Sequence, residues 1–320
     1  MSTTPDRGRT AKRPGGIPVS GWKDVALRVK DQYSEDHVTL TGAGVAFFGF
    51  FALGPLLAAT VSIYGLIADP ADITSIVDDL RAAAPGEVAN LVEQQLQSLS
   101  ESNASALGIA ALISIFVSLW SASSGFGHLM EAINIAYDED TDDRPFWRRR
   151  LIAIGFTVGF LALVGAAAFL LRTLAGGLAF VAWIAVGAAV VVGLGVLYRY
   201  GPDRSDAKWE WVTPGAIFAV MGGLAVSIGF RYYVKFFGSY NDTYGAIGSI
   251  IIVLTWLYLS AVIVIVGAEI NTELERQTLS DSTTGEPEPI GWRGAAAADD
   301  VAAAAANDVA AATANDVAAR

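Results

Sequence analysis

SLWSASSGFGHLMEAINIAY, residues 118–137, decides how the whole chain is read. Its surroundings are apolar over the length of a bilayer, yet it carries Ser121, Ser123, Ser124, His128, Glu131 and Asn134. At about 100° per residue on a helix, Trp120, Ser123, Ser124, Gly127, His128, Glu131 and Asn134 fall within an arc of roughly 140°. Phe126, Leu129, Met130 and Ile133 take the other side. An ionisable group in hydrocarbon costs a few kcal/mol or more, so such groups turn to the protein interior or to water. The stretch therefore reads as a membrane helix with its polar stripe inward and its apolar side toward lipid.

Composition agrees. Of 320 residues, 53% are hydrophobic and only 17% are charged, where about a quarter is usual in a soluble domain. The apolar residues lie in blocks. Six windows reach the ~20 residues that span a bilayer as a helix. They run over 40–67, 106–133, 151–171, 175–198, 214–234 and 246–267. The third and fourth, parted only by a few residues around Arg172, form a tight hairpin. Pro55 interrupts the first and is expected to bend it. None alternates polar and apolar residues as a barrel strand does. The fold expected is an all-α bundle of six transmembrane helices, with an amphipathic N-terminal interfacial helix and a helical outer loop.

Basic residues orient it. Arg7, Arg9, Lys12, Arg13, Lys23, Arg28, Lys30, Arg144, Arg148, Arg149, Arg150, Arg199, Arg204 and Lys208 fall on one side, with Arg276, Arg293 and Arg320. The other side holds Arg81, Arg172, Arg231 and Lys235. Basic loops stay cytoplasmic, so both termini are expected there. No signal peptide is read in the first 39 residues.

Four parts follow: a disordered terminus, 1–20; an interfacial helix, 21–39; the membrane domain, 40–275; and a low-complexity, alanine-rich cytoplasmic tail, 276–320, also expected to be disordered. In the helix, Trp22, Ala26, Val29 and Tyr33 share a face suited to the headgroup layer. The acidic outer loop, 68–105, holds Val88, Leu91, Val92, Leu96 and Leu99 at helical spacing after Pro85, as a cap on the bundle or a binding lid.

The candidate polar path or interhelical network comprises Trp120, Ser123, Ser124, His128, Glu131, Asn134, Glu269 and Asn271. It reads two ways: a hydrophilic or proton-linked path, or interhelical hydrogen bonding with an interfacial ion pair from Glu131 to Arg148, Arg149 or Arg150. RPFWRRR (144–150) likewise reads two ways. Arg144, Arg148, Arg149 and Arg150 contact anionic lipid headgroups, or they form a topology signal beside an aromatic belt. Small-residue seams, Gly215/Ala219/Gly223 and Gly245/Ser249/Ser260/Gly267, the second sharing its face with Trp256 and Asn271, suit close helix packing.

The chain resembles the YihY/BrkB family of bacterial inner-membrane proteins, some once labelled ribonuclease BN. The resemblance rests on AFFGFFALGPLLA (46–58), LWSASSGFGHLMEAINIAY (119–137), RPFWRRR (144–150), TPGA (213–216) and YNDTYGAIGSIIIVLTWLYLSAVIVIVGAEIN (240–271), in that order over residues 22–275. It implies a multi-pass protein of the bacterial plasma (inner) membrane, linked in some members to envelope properties such as serum resistance and lipopolysaccharide export.

Three functions are weighed. One is a transporter-like protein moving lipid or another envelope component. It lacks a P-loop and so would not hydrolyse ATP. The second is a non-catalytic accessory protein organising envelope partners. The third, ribonuclease activity, is set aside. Metal-assisted phosphodiester cleavage needs clustered ligands, and the only histidines are His37 and His128. No enzyme activity, cofactor, metal or nucleic acid is expected. The bilayer, an anionic or envelope lipid, and a second copy of the chain are the partners considered.

Overall fold

The computed structural model describes residues 7–67, 104–139, 141–174, 178–236 and 246–301. The outer-loop helix proposed within 68–105 lies almost wholly outside them. After a 3-10 turn at Pro14–Gly16, the helices are α1 (Val19–Glu35), α2 (Val38–Ile67), α3 (Ala104–Ala136), α4 (Phe146–Thr173), α5 (Ala179–Tyr200), α6 (Trp209–Phe236), α7 (Ala246–Arg276) and the short α8 (Ala296–Asp299). Among the described residues there is no strand, only an isolated antiparallel bridge between Ala207 and Thr283.

Among the described residues five segments are long and apolar enough to cross a membrane: Val38–Thr60, Phe146–Leu171, Ala179–Tyr200, Trp209–Tyr233 and Ile250–Arg276. Helix α3, 33 residues long, packs among them. Prolines mark helix starts, where their missing N–H is not needed: Pro18 precedes α1 and Pro145 precedes α4. Pro55 lies inside α2, which continues to Ile67. Two non-glycine residues take left-handed backbone, His37 (φ 49°) and Asp138 (φ 55°). Both are types that tolerate this region. They end α1 and α3 abruptly, and His37 lets α2 begin at once.

Helix α2 packs along α3 and α7, α7 packs on α6, and α4 and α5 flank the group. The tightest crossing is α6 on α7. A side chain at Gly215 would strike the carbonyl oxygen of Gly267, and one at Gly267 would strike the Tyr198 hydroxyl. Gly223, from the same expected ladder, has open space around it. Elsewhere Gly125 of α3 approaches Ala52 of α2. Large apolar side chains such as Phe169, Phe180, Trp183 and Met221 point outward, as helices solvated by lipid allow.

The buried core gathers at one end of the bundle, here termed the basal end. Val38, Ile133, Tyr137, Tyr198, Val212 and Ile265 form its main cluster. Ala11, Ile17, Val25, Trp211 and Leu274 form a second. The sequence reads residues 1–20 and the tail as disordered, but the described parts of both are folded here. Leu279 N–H donates to the Arg9 carbonyl, and the Thr278 hydroxyl donates to that of Ala11 (2.6 Å). The buried Arg293 donates to the carbonyls of Leu279, Glu288 and Ala298. Helix α1 also docks on the bundle, burying Gly21 and Val25 while Trp22 and Leu27 stay exposed.

Candidate functional site

A cleft of about 520 Å³ opens between the basal halves of α3 and α4. Ser124, His128, Glu131 and Asn134 line one wall, and Phe146, Arg149 and Arg150 the other. The sequence stripe thus supplies one wall of a real cavity. It does not act as one unit, however. His128 stacks on Phe48 (3.7 Å between ring centres) and its Nδ1 lies 3.4 Å from a Glu131 oxygen. Glu131 is exposed and pairs with His128 rather than with an arginine. Ser123 and Ser124 donate back to the carbonyls of Trp120 and Ser121, satisfying themselves within the helix.

Asn134, though it lines the cleft, also holds a loop. Its Oδ1 accepts from the Asp203 backbone N–H at 2.8 Å, tying α3 to the α5–α6 loop. Arg144 is also locked. It is 7% exposed, and its guanidinium donates to both Asp142 oxygens (2.9 and 2.7 Å) and to the Gly201 carbonyl (2.9 Å). It is therefore withdrawn from the set available to a lipid. Burial acts to raise the Asp142 carboxyl, but the hydrogen bonds and charge of Arg144 prevail and hold it below the usual range.

Arg148 and Arg149 are exposed. The Arg150 guanidinium lies 4.5 Å over the Trp120 ring and donates to the Trp120 carbonyl. Trp120 so meets Arg150 and Phe146, both of which line the cleft.

The apolar side of the stripe needs correction. Met130 and Ile133 are buried, not lipid-facing, and Phe126 meets Phe156 and Phe160 of α4. At the basal end α3 is enclosed by α2, α4 and α7, so polarity alone did not set its outward face.

Apart from the cleft, the basal end holds a buried polar network. Asn271 accepts from Gly215 N–H (2.8 Å) and donates to the Tyr137 hydroxyl and the Val212 carbonyl (3.2 Å each). It is a saturated clamp at the α6–α7 crossing. Arg204 and Glu275 form a buried two-pronged pair (3.2 and 2.6 Å), with the Ser282 hydroxyl also donating to Glu275. Arg204 lies 4.8 Å over Tyr137. Arg28 of α1 pairs with the buried Glu273 and donates to Gln277.

Glu269 is fully buried, and neither of its oxygens has a hydrogen-bond donor. The Asp36 carboxyl, at the α1–α2 junction, interacts with it, and one Asp36 oxygen is likewise buried with no hydrogen-bond partner. Asp138 stands near both, with Arg276 Nη2 2.9 Å from its Oδ2 but not aligned for a hydrogen bond. Burial pushes the Asp138 carboxyl up to about 6 and raises Asp36 as well. It also raises Glu139, whose carboxylate accepts from Ala296 N–H.

Sequence reasoning missed Asp36, Asp138, Arg204 and Glu275. Each lies in a loop or at a helix end, where a charge reads as ordinary solvent-facing polarity. Among the described residues no three His, Asp or Glu are placed to hold a metal ion.

Residues 29–290 match the family model described as virulence factor BrkB. The chain is 30% identical over 257 residues to YfkH of Bacillus subtilis strain 168, a protein named ribonuclease-like, covering 73% of this chain and 89% of that one. It is 23% identical over 266 residues to a UPF0761 membrane protein of Albidiferax ferrireducens, covering 80% of this chain and 64% of that one. A UPF0761 membrane protein of Xanthomonas campestris is 26% identical over 257 residues, covering 76% and 59%. The chain therefore spans less than two thirds of the length of these UPF0761 proteins. No solved structure matches it.

Proposed function

From the premise that this chain belongs to the virulence factor BrkB family of membrane proteins, we propose that it moves an anionic lipid, or a similarly built envelope component, through the α3–α4 cleft. The observation that carries this reading is the cleft's two-sided chemistry. Arg149 and Arg150 offer cations to a headgroup, beside the outward apolar surface of Phe146, Trp147 and Leu151 on a membrane-length helix. Juxtamembrane arginines attract anionic headgroups, and the apolar surface suits acyl chains. In this reading α3 is the sixth span, the basal end is cytoplasmic in the bacterial inner membrane, and the exposed side of α1 rests in the headgroup layer. The protein is neither an enzyme nor an ATPase.

The test is transfer of a fluorescent anionic lipid between leaflets of reconstituted vesicles, with a zwitterionic lipid as control. Wild type is expected to speed the anionic lipid selectively. Arg149→Ala removes a charge-assisted contact and is expected to slow it about tenfold, with unfolding temperature unchanged. Wild-type vesicles no faster than empty ones would overturn the reading.

A second reading, an accessory protein that organises partners or pairs with its own copy, is favoured by Gly155 and Gly159. They lie four apart on α4 with nothing beside them, spacing suited to close helix contact in lipid. Crosslinking in native membranes tests it. Recovery of the isolated chain alone counts against it.

A further inference from the structure

Glu269 poses a problem that the cleft does not solve. A carboxyl with no exposed surface and no donor is a costly group to bury. Its neighbours do not neutralise it. From its own helix come Glu273 and Arg276; from the α1–α2 junction, Asp36; from the end of α3, Asp138. Arg28 of α1 is engaged by Glu273, Glu35 adds charge near Asp36, and Asp300 of the tail faces Arg276. His37, next to Asp36, is exposed. Two guanidiniums thus face four carboxyls, Glu269 itself included, before Glu35 and Asp300 are counted.

The two carboxyls that meet, Asp36 and Glu269, are acceptors only when both are ionised. A bond between them requires one proton, and one proton satisfies both. Like charges at close range cannot both ionise cheaply, so such a pair shares a proton. A metal ion fits less well, since it needs several oxygen ligands and no such group is assembled among the described residues.

We propose that Asp36 and Glu269 form a proton-binding site that holds one proton between their carboxyls. Resting on the cleft reading above, we assign that proton as the coupling ion for movement of the cleft's cargo. Binding gives a single O–H···O bond between the pair. Release leaves two adjacent anions, which repel and loosen the junction of α1 and α2 on α7. Asp138 links this event to the cleft: it faces the pair, and its neighbour Glu139 lines the cavity.

Infrared difference spectroscopy of the full-length protein in vesicles tests the site directly. Wild type is expected to show a protonated-carboxyl C=O band at neutral pH that is lost on raising pH. Glu269→Gln, which keeps the shape of the neutral acid, should remove the band while the protein stays folded by thermal unfolding. Asp36→Asn should shift or remove it. A wild-type spectrum without this band, a band unchanged by both variants, or a band abolished by sodium at constant pH overturns the site. Lipid transfer under an imposed pH gradient tests the coupling separately. Wild type should respond severalfold to the gradient and Glu269→Gln should not. Transfer that ignores the gradient in wild type overturns the coupling. Absence of transfer under every gradient overturns the cleft reading and the coupling with it, while the infrared band still decides the proton site.

Discussion

Among single residues, Arg204 is the most exacting test of the basal end. Its guanidinium and Glu275 are both buried, so each leaves an unpaired charge if the other is removed. Arg204→Ala is expected to cost about 3–5 kcal/mol, read as a fall in unfolding temperature in detergent. A loss below ~1 kcal/mol, the range of an exposed pair, would show the pair to be solvated. Asp138 gives a pH signature. Its carboxyl moves from an ordinary 3.8 up to about 6 through burial, so the folded chain binds this proton more tightly than the unfolded chain. Stability should therefore fall as pH rises from about 4 to about 6, with the penalty complete above that window. Asp36 and Glu139, also raised by burial, act with the same sign. Asp138→Asn keeps a residue tolerant of left-handed backbone and should flatten the slope of unfolding free energy against pH. An unchanged slope would remove Asp138 from the account.

At the scale of elements, the α6–α7 crossing sets the geometry on which the buried Asn271 network depends. Gly215 N–H reaches Asn271 because no side chain separates the backbones. Gly215→Ala should cost about 1–3 kcal/mol through forced separation and should also break the Asn271 clamp. Gly159→Ala on the open side of α4 should be tolerated within about 1 kcal/mol. Equal effects at both sites, measured by thermal unfolding, would contradict the crossing described. These elements were legible from sequence to different degrees. Apolar blocks at 151–171, 175–198 and 214–234 correspond to α4, α5 and α6 because length and hydropathy are local properties. The inward face of α3 was only half legible. Ser123 and Asn134 are buried as their polarity indicates, but so are Met130 and Ile133, because three neighbours enclose that part of the helix.

At the scale of the whole molecule, both described termini close the basal end. Residues 7–11 bond to Gln277, Thr278 and Leu279, and Ala11 and Ile17 pack with Trp211 and Leu274. Truncation after Gln277 removes the Thr278 and Leu279 contacts to the N-terminal segment, the Ser282 bond to Glu275 and the bridge to Ala207. The truncated protein is expected to lose several degrees of thermal stability and to expose the chain before α1 to protease. Unchanged cleavage there would mean that the tail decorates this end without holding it.

By itself the sequence determined that this is a helical membrane protein, where its long apolar helices lie, and which residue types sit near the cleft. Those features follow from runs of neighbours along the chain, which hydrocarbon solvation reads directly. The tertiary structure alone decided that Arg144 and Asn134 hold loops, that the described parts of both terminal segments are folded, and that the Asp36 carboxyl interacts with Glu269. The physical reason is separation: a buried charge is costly until a partner distant in the chain arrives, and only the folded bundle shows which partner that is, or that none came.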